Sequence, residues 1–393
     1  MQTNINLLPS SLNKRLLDLI AAGLGDVFPA VAIAAYHDGR LVLDIGGGVI
    51  DPATGQGLVT PATRFDLASL TKLFTTTALL TLVSRGSARL DNPLVSAIPE
   101  FGANHSHRDG TYEPERVTFR HLLTHTSGLP PWGDVYHAET QPAPPPPDQP
   151  DPVSCGQRWS RALKSICAYP LVGEVGGAMR YSDLGFMLLG EATTRLWYAG
   201  NVVSPRAHLG LDMVIGEGIC ERLKLESACF NPVRNGVDRM IIAPTEEDRA
   251  WRKRRVWGEV HDENACAVGG VAGHAGMFAA AGDVAAFGQA WLERNPQLRV
   301  DADLMQQAVS EQAATVDERR GWGWMLRLAQ GSSAGEKFSP NAYGHTGFTG
   351  TSLWIDPGRA LVVAVLTNRV YAGRAKDGIH DFRRAVHDTM ADI

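Results

Sequence analysis

The sequence predicts an α+β fold in which strands from both chain ends form one antiparallel sheet that is flanked by helices. Two hairpins carry this prediction: residues 31–36 and 41–45 are short apolar runs around a Gly-containing turn, and residues 351–355 and 360–366 flank Asp-Pro-Gly-Arg. The sequence between the hairpins is mostly helical in character, which indicates an inserted helical lobe. The tail, 377–392, is also predicted to be helical.

Residues 1–393 are predicted to form a single domain with an α/β lobe, 8–85 and 240–393, and a mainly helical lobe, 86–239. A chain of 393 residues with 44% hydrophobic and 20% charged residues can bury a large core. The proline-rich segment 141–152 is expected to be stiff and extended. It is interpreted as a surface loop of the helical lobe rather than an interdomain linker, because the flanking segments resemble parts of one core.

Charge and composition exclude several classes of partner. The 37 basic and 42 acidic residues give a net charge of −5, so we expect neither nucleic acid nor a membrane surface as partner. No apolar stretch is long enough to cross a bilayer, and residues 1–13 lack the pattern of a secretory signal. Five cysteines without a CxxC pair favour free thiols. The expected location is the cytoplasm.

The most informative motif is Ser69-Leu70-Thr71-Lys72, at the start of an amphipathic run. Residues three apart on a helix are neighbours, with Cβ atoms roughly 5–6 Å apart, so Lys72 is a candidate to take the proton of Ser69 during attack on a carbonyl. The run continues to about residue 83 and is apolar on most sides, which predicts a buried helix that ends near Arg85-Gly86. Because burial penalises a charged amine, we expect a lowered pKa for Lys72.

A second Ser-x-x-Lys match, residues 11–14, follows Pro9-Ser10 directly. It is interpreted as a helix start that Ser10 or Ser11 caps. The predicted apolar stripe of this helix consists of Leu12, Leu16, Leu17 and Ile20. The tetrapeptide alone therefore does not identify a nucleophile, and its context has to separate the two copies.

Four motifs in order make the chain resemble one superfamily: residues 69–72, Leu-Leu-Thr-His-Thr-Ser-Gly-Leu-Pro at 122–130, Tyr-Ser-Asp-Leu-Gly at 181–185 and His-Thr-Gly at 345–347. Together they resemble the class C β-lactamases, D,D-peptidases and family VIII esterases. The likeness extends from about the first hairpin to the last helix. It implies a β-lactamase/transpeptidase-like fold.

The resemblance implies Ser69 as the acylated nucleophile, Lys72 as its proton partner and Tyr181 as a second base and acid. It also implies an oxyanion hole formed by the N–H groups of Ser69 and Phe348. A tyrosine beside a lysine cation is expected to have a pKa below its usual value of about 10. The positions implied to bind substrate are Asp183, His345, Thr346 and Gly347.

Two of these positions depart from the best-known pattern of the superfamily. Asp183 stands where β-lactamases and peptidases usually carry Asn, and His345 stands where β-lactamases usually carry Lys. An ionised carboxylate only accepts hydrogen bonds, which disfavours efficient turnover of penicillins. His345 is nevertheless expected to present a hydrogen-bond donor to the substrate from a strand at the edge of the site.

Other histidines are interpreted as structural. His125 lies in a turn that the superfamily uses as scaffold, and a loop histidine that satisfies backbone groups is common. Residues 261–263 with His274 do not have the spacing of a metal-ligand set, so neither a metal nor another cofactor is predicted.

Three classes of function remain open for this sequence. The favoured class is a serine hydrolase that forms an acyl-enzyme with small ester or amide substrates, foremost an intracellular esterase. Within it, a β-lactamase or a D,D-peptidase or amidase acting on peptidoglycan fragments is the alternative. An acyltransferase and a non-catalytic penicillin-binding sensor are the other two classes.

We predict that a fluorophosphonate labels Ser69 alone, because only this serine combines an exposed hydroxyl with a neighbouring base. Intact mass and peptide mapping measure the label. Ser69→Ala should abolish it, whereas Ser11→Ala should leave it unchanged. A label found on Ser11, or one retained by Ser69→Ala, would contradict the assignment.

Overall fold

The computed structural model of the protein describes residues 2–103, 114–138, 142–199, 210–375 and 377–393. The strands are β1 (Gln2–Asn6), β2 (Ala30–His37), β3 (Arg40–Asp51), β4 (Gln56–Leu58), β5 (Phe65–Asp66), β6 (Cys229–Phe230), β7 (Glu247–Asp248), β8 (Arg254–Arg255), β9 (Met277–Ala279), β10 (Ala313–Ala314), β11 (Arg319–Arg320), β12 (Met325–Leu326), β13 (Tyr343–Thr346), β14 (Ser352–Asp356) and β15 (Leu361–Thr367).

The helices are α1 (Ser10–Gly23), α2 (Thr71–Ser84), α3 (Pro99–Ala103), α4 (Phe119–Leu123), α5 (Cys155–Ile166), α6 (Asp183–Ala199), α7 (Leu211–Ile215), α8 (Glu221–Leu223), α9 (Glu263–Ala267), α10 (Ala281–Leu292), α11 (Ala302–Ala308) and α12 (Ile379–Met390). The predicted hairpins correspond to β2–β3 and β14–β15, and the predicted C-terminal helix is α12. These predictions are confirmed.

The main sheet joins the two ends of the chain. Its strand order is β1-β3-β2-β15-β14-β13-β12-β11-β10, with β4 paired to β3, and its pairings are antiparallel. The central pairing of β2 with β15 connects the first hairpin to the last one. The sequence predicted this arrangement, but it did not predict the short strands β10 to β12 that extend the sheet beyond β13.

The two faces of the central strands enter separate apolar cores. Because side chains alternate along a strand, Ala32 and Ala34 of β2 face the larger core, whereas Val31 and Ile33 face the smaller one. Helix α10 packs on the face of the larger core. Helices α1 and α12 pack against each other over the smaller core. The sheet is therefore covered by helices on both faces.

Helix α1 contains the second Ser-x-x-Lys match and differs from its prediction in one respect. The helix begins at Ser10 with Pro9 at the N-cap position, and no side chain caps it, so the predicted cap by Ser10 or Ser11 is wrong. Extended backbone at Pro9 already places both serines inside the helix. The predicted stripe is buried at Leu12, Leu16 and Ile20 and half-buried at Leu17. Lys14 pairs with Asp18 on the surface, at 2.8 Å.

Helix α2 is buried on nearly all sides, as its apolar sequence predicts. Every residue from 71 to 82 is buried. The hydroxyls of Thr77 and Thr81 donate to carbonyls one turn earlier, at 2.7 and 3.0 Å, so these polar side chains are satisfied inside the core. The helix packs against α6 and ends at Arg85, followed by Gly86 with a φ of +75°. It thereby carries Lys72 into the protein interior.

The proline-rich segment is described from residue 142 to 152 and forms a loop without helix or strand, as predicted; Gln141 lies outside the described residues. Arg254 donates to the carbonyl of Pro144 at 2.9 Å, and Arg234 donates to that of Gln149 at 3.2 Å. The loop is therefore held against the body of the protein by side chains from elsewhere in the chain.

No helix in the described part of the chain is both long and apolar enough to cross a membrane.

Candidate active site

A cavity of about 560 Å³ opens at the start of helix α2. Its lining includes the predicted site residues Ser69, Tyr181, Asp183, His345, Thr346, Gly347 and Phe348. Lys72 is fully buried behind Ser69. The structure thus brings together side chains that are separated by up to several hundred residues in the sequence.

Ser69 lies in a single 3₁₀ turn, Ala68–Leu70, directly before α2. Its Oγ is 3.0 Å from Nζ of Lys72 and 2.9 Å from the hydroxyl of Tyr181. The short distance between Ser69 and Lys72 follows from helical spacing and confirms the prediction that these two side chains are neighbours. Tyr181 lies two residues before the start of α6 and reaches Ser69 through tertiary packing. A hydroxyl with two proton-carrying neighbours is the geometry that nucleophilic catalysis requires.

The Lys72 ammonium has three hydrogen-bond acceptors. Nζ donates to Oδ1 of Asp183 at 2.7 Å, to Oγ of Ser69 at 3.0 Å and to the carbonyl of His274 at 3.1 Å. Burial lowers the pKa of Lys72, but Asp183 and Tyr181 together outweigh this effect, and the pKa is raised above its usual value. The expectation of a lowered pKa is therefore wrong, because the sequence did not place a carboxylate beside the amine.

Tyr181 is surrounded by cations but remains a phenol. Burial raises the pKa of Tyr181 more than the cation of Lys72 lowers it, so the expected low pKa is also wrong. The Nζ of Lys72 lies 4.9 Å from the centroid of the Tyr181 ring. In the resting site, both Lys72 and Tyr181 are consequently protonated. Each donates a hydrogen bond to Oγ of Ser69.

His125 supports the segment that contains Tyr181. Its ring lies 4.6 Å from that of Tyr181, and its Nδ1 accepts a hydrogen bond from the N–H of Ser182 at 3.1 Å. Burial lowers the pKa of His125 well below its usual value, and the cation of Arg320 adds to this effect. The imidazole is neutral and structural, in agreement with the interpretation of the sequence.

The backbone before the nucleophile is strained. Ala68 has a φ of +46°, a conformation that costs a residue with a Cβ about 1–2 kcal/mol. The buried carboxylate of Asp66 holds it in place, since Oδ1 accepts from the N–H of Ala68 at 2.8 Å and Oδ2 accepts from the N–H of His261 at 2.6 Å. This turn directs the N–H and the hydroxyl of Ser69 towards the cavity.

The two residues predicted to form the oxyanion hole, Ser69 and Phe348, both line the cavity. Within the described residues, neither the N–H of Ser69 nor that of Phe348 donates to a protein acceptor. Gly347 precedes Phe348, and a Cβ at this position would lie 2.1 Å from Oγ1 of Thr351 and 2.6 Å from the carbonyl oxygen of Leu67. Glycine is thus required for the strand end to approach the Ser69 turn.

Asp183 is the first residue of α6, and its side chain is 21% exposed. One carboxylate oxygen is engaged by Lys72, and the residue lines the cavity. Asp183 was predicted as a substrate-binding residue. The structure also gives it a partner within the site, and its charge contributes to the raised pKa of Lys72.

His345 lies on β13 at the edge of the cavity but is only 2% exposed. Its Nδ1 is 2.8 Å from the carbonyl oxygen of Thr346, and its Nε2 is 2.8 Å from Nη1 of Arg320. Burial lowers the pKa of His345 well below its usual value, and the cation of Arg320 contributes. Both ring nitrogens are engaged within the protein, so the imidazole does not present the donor that the sequence predicted.

His274 also lines the cavity, and its Nε2 is 2.8 Å from Oδ1 of Asp262. Burial opposes ionisation of Asp262, but His274 holds the pKa of this carboxyl below its usual range. Across the described ranges, no group of three or more His, Cys, Asp or Glu side chains is arranged to hold a metal ion. The contribution of His274 to the serine centre is its backbone carbonyl.

The antiparallel sheet with flanking helices and the Ser-x-x-Lys turn at a buried helix define a β-lactamase-like hydrolase. The family model described as Beta-lactamase matches residues 17–387. The chain belongs to the Beta-lactamase family, and its fold is the β-lactamase/transpeptidase-like fold.

Similar proteins come from several branches of this family. The chain is 29% identical over 372 residues, or 88% of its length and 79% of the relative, to an Escherichia coli (strain K12) protein named "Putative D-alanyl-D-alanine carboxypeptidase". It is 29% identical over 377 residues, with coverage of 89% and 78%, to "N-acetylmuramyl-L-alanine amidase" of Bacillus subtilis (strain 168). A similar solved structure is "EstCE1, a hydrolase with promiscuous acyltransferase activity", with a TM-score of 0.71, 21% identity and coverage of 97% and 98%.

Sequence reasoning missed several residues of the site. Arg320 comes from the short strand β11, and Arg383 of α12 donates to the carbonyls of Gly347 and Thr351 at 2.8 and 2.6 Å. Neither arginine belongs to a motif or has a spacing relation to Ser69. Arg320 reaches the cavity because β12 lies between β11 and β13 in the sheet. Arg383 reaches it because α12 docks against the protein.

We predict that kcat/KM for an ester rises with pH through the neutral range and continues to rise up to about pH 10. The raised pKa of Lys72 leaves little neutral amine at pH 7, and that fraction grows roughly tenfold per pH unit below the pKa. Asp183→Asn removes a carboxylate that raises this pKa. Burial then dominates, and the rising limb should move to lower pH in steady-state pH profiles.

Asp91→Asn is the matched control, because Asp91 is an exposed carboxylate that pairs with Arg120 at 2.7 Å. This variant should keep the wild-type profile. A wild-type plateau that begins near pH 7, together with an unshifted Asp183→Asn profile, would show that Lys72 does not limit the reaction.

Proposed function

We propose that the protein is a serine hydrolase that forms an acyl-enzyme on Ser69 and that its preferred substrates are small esters. The observation that carries the proposal is the position of Ser69 Oγ, 3.0 Å from the amine of Lys72 and 2.9 Å from the hydroxyl of Tyr181. Nucleophile and base within hydrogen-bond reach, with the base oriented by a third group, are the signature of nucleophilic catalysis. Asp183 is here the orienting group.

Acylation begins from the form in which Lys72 is neutral. Oγ of Ser69 forms a bond to the substrate carbonyl carbon while its proton passes to Nζ of Lys72. The carbonyl electron pair moves to the oxygen, which the N–H groups of Ser69 and Phe348 stabilise. Tyr181 then gives its proton to the leaving group as the bond between the carbonyl carbon and that group breaks.

Deacylation reverses these transfers with water. The Tyr181 phenolate takes a proton from the water as the water oxygen attacks the acyl carbon. Lys72 returns its proton to Oγ of Ser69 when the acyl group leaves. Both partners regain their starting states, and the net reaction is hydrolysis of the ester to an acid and an alcohol. The cationic surroundings of Tyr181 stabilise the phenolate between the two steps.

Asp183 supports esters over amides and lactams as substrates. An ionised carboxylate has no hydrogen to donate to the carbonyl of an acylamino side chain, and it repels that oxygen. An activated ester also needs less assistance in protonating its leaving group than an amide nitrogen does. A small-molecule substrate suits the size of the cavity, about 560 Å³.

Amide bonds of peptidoglycan fragments are the second candidate substrates. The two relatives described above carry the names of a D-alanyl-D-alanine carboxypeptidase and an N-acetylmuramyl-L-alanine amidase, and each aligns with nearly nine-tenths of this chain. The predicted cytoplasmic location would restrict this activity to imported fragments. All five cysteines are unpaired, which supports that location.

We predict that Lys72 and Tyr181 act as one proton-transfer unit, because both bind the same oxygen of Ser69. The double variant Lys72→Ala/Tyr181→Phe should therefore lose little more activity than the worse single variant. Steady-state kinetics on one ester measure the three variants. Losses that multiply would indicate independent roles for the two residues.

We further predict that kcat/KM is highest for a p-nitrophenyl ester when the same preparation is assayed on a chromogenic cephalosporin and on muropeptides. Ser69→Ala is the control for non-specific ester cleavage and should remove all three activities. A preference for the cephalosporin or the muropeptides would overturn the esterase proposal but leave the acyl-enzyme intact. Added alcohols or amines that divert the product would favour an acyltransferase, and absence of any turnover would favour a sensor.

A further inference from the structure

Arg320 occupies a junction that links the strand edge of the cavity to Tyr181. It lies on β11, two strands away from β13, and its side chain is only 3% exposed. Nη1 donates to Nε2 of His345 at 2.8 Å, and the guanidinium carbon lies 5.0 Å from the centroid of the Tyr181 ring. Its remaining nitrogens, Nε and Nη2, bind Oε1 of Glu318, the former at 2.7 Å.

The hydrogen bonds of His345 determine which of its nitrogens carries the proton. A guanidinium has only donors, so Nε2 of His345 is an acceptor. A carbonyl oxygen only accepts, so Nδ1 carries the hydrogen and donates it to Thr346. His345 is consequently a neutral imidazole in one tautomer, and it contributes no charge to the strand edge.

Relatives in the superfamily that the sequence resembles carry Lys or His at this place before Thr-Gly, and the β-lactamases usually carry a lysine cation there. In this chain the cation lies one hydrogen bond further away, on Arg320. The planar guanidinium fork of an arginine can bind Glu318 and His345 simultaneously. The charge next to Tyr181 is thus held in a fixed geometry.

We propose that Arg320 is a positioning residue that takes the place of the strand-edge lysine of the β-lactamases: it locks the tautomer of His345 and holds a positive charge beside Tyr181. The inference rests on the proposed acyl-transfer function, in which a Tyr181 phenolate forms after protonation of the leaving group. Arg320 stabilises this phenolate and, through His345, fixes the backbone of Thr346 at the cavity. It acts without contacting the reacting atoms.

The first test uses the wild-type protein and ¹⁵N NMR of its imidazoles. The expected spectrum of His345 at neutral pH has a protonated Nδ1 and an unprotonated Nε2, because burial and the cations of Arg320, Lys72 and Arg383 oppose protonation of the second nitrogen. Arg320→Gln should abolish this pattern, with the proton exchanging between both nitrogens. A wild-type Nε2–H tautomer, or a doubly protonated ring near pH 7, would overturn the proposal.

The second test moves the charge. Arg320→Gln should lower kcat/KM for an ester roughly ten- to hundredfold, as expected for loss of a buried hydrogen bond to a charged group. His345→Lys alone should also lower activity, because two cations then meet. The double variant Arg320→Gln/His345→Lys should be more active than either single variant, since it restores one cation at the strand edge.

Arg319→Gln is the matched control, because Arg319 lies on the same strand but is partly exposed and pairs with Glu311. It should keep wild-type activity and the wild-type spectrum of His345. A double variant that is worse than both single variants would show that Arg320 is only structural, and circular dichroism identifies any variant that fails to fold. If the wild type turns over no ester, the proposed function fails, while the tautomer measurement still decides the role of Arg320.

Discussion

A fully buried ammonium needs compensation from charged and polar groups, and Lys72 obtains it from the preceding turn and from two distant parts of the chain. Asp183 at the start of α6, Ser69 in the turn before α2 and the carbonyl of His274 all accept its hydrogen bonds. Leaving such a charge unpaired would cost several kcal/mol. The hydrogen bond between Lys72 and Asp183 therefore helps to fix α6 against α2. It thereby also helps to place Tyr181 near Ser69.

The strand edge of the cavity depends on buried arginines in a similar way. Arg383 holds the carbonyls of Gly347 and Thr351, and burial lowers its pKa to about 9, with Arg369 contributing. Arg320 holds His345 from the other side. These contacts fix the backbone on both sides of the N–H of Phe348. In the proposed mechanism, a donor preorganised in this way stabilises the developing negative charge without rearranging during the reaction.

Much of the fold and the centre of the site was predictable because the signals are local. The apolar runs of β2 and β15 and the continuous apolar pattern of α2 identified their elements, and helical spacing placed Lys72 beside Ser69. The protonation states were predicted incorrectly. The raised pKa of Lys72 depends on Asp183, whose distance from Lys72 no spacing rule gives, and the raised pKa of Tyr181 depends first on its burial. The short strands β10 to β12 likewise contain too few residues to produce a periodic pattern.

The sequence by itself determined the family, the sheet built from both chain ends and the pairing of Ser69 with Lys72, since ordered motifs and local periodicity encode these properties. Only the tertiary structure decided that Lys72 and Tyr181 hold their protons at rest, that His345 is a neutral acceptor and that Arg320 supplies the charge beside it. These properties are electrostatic. They depend on burial and on distances between residues that are remote in sequence, and they arise only when the strands and helices have packed.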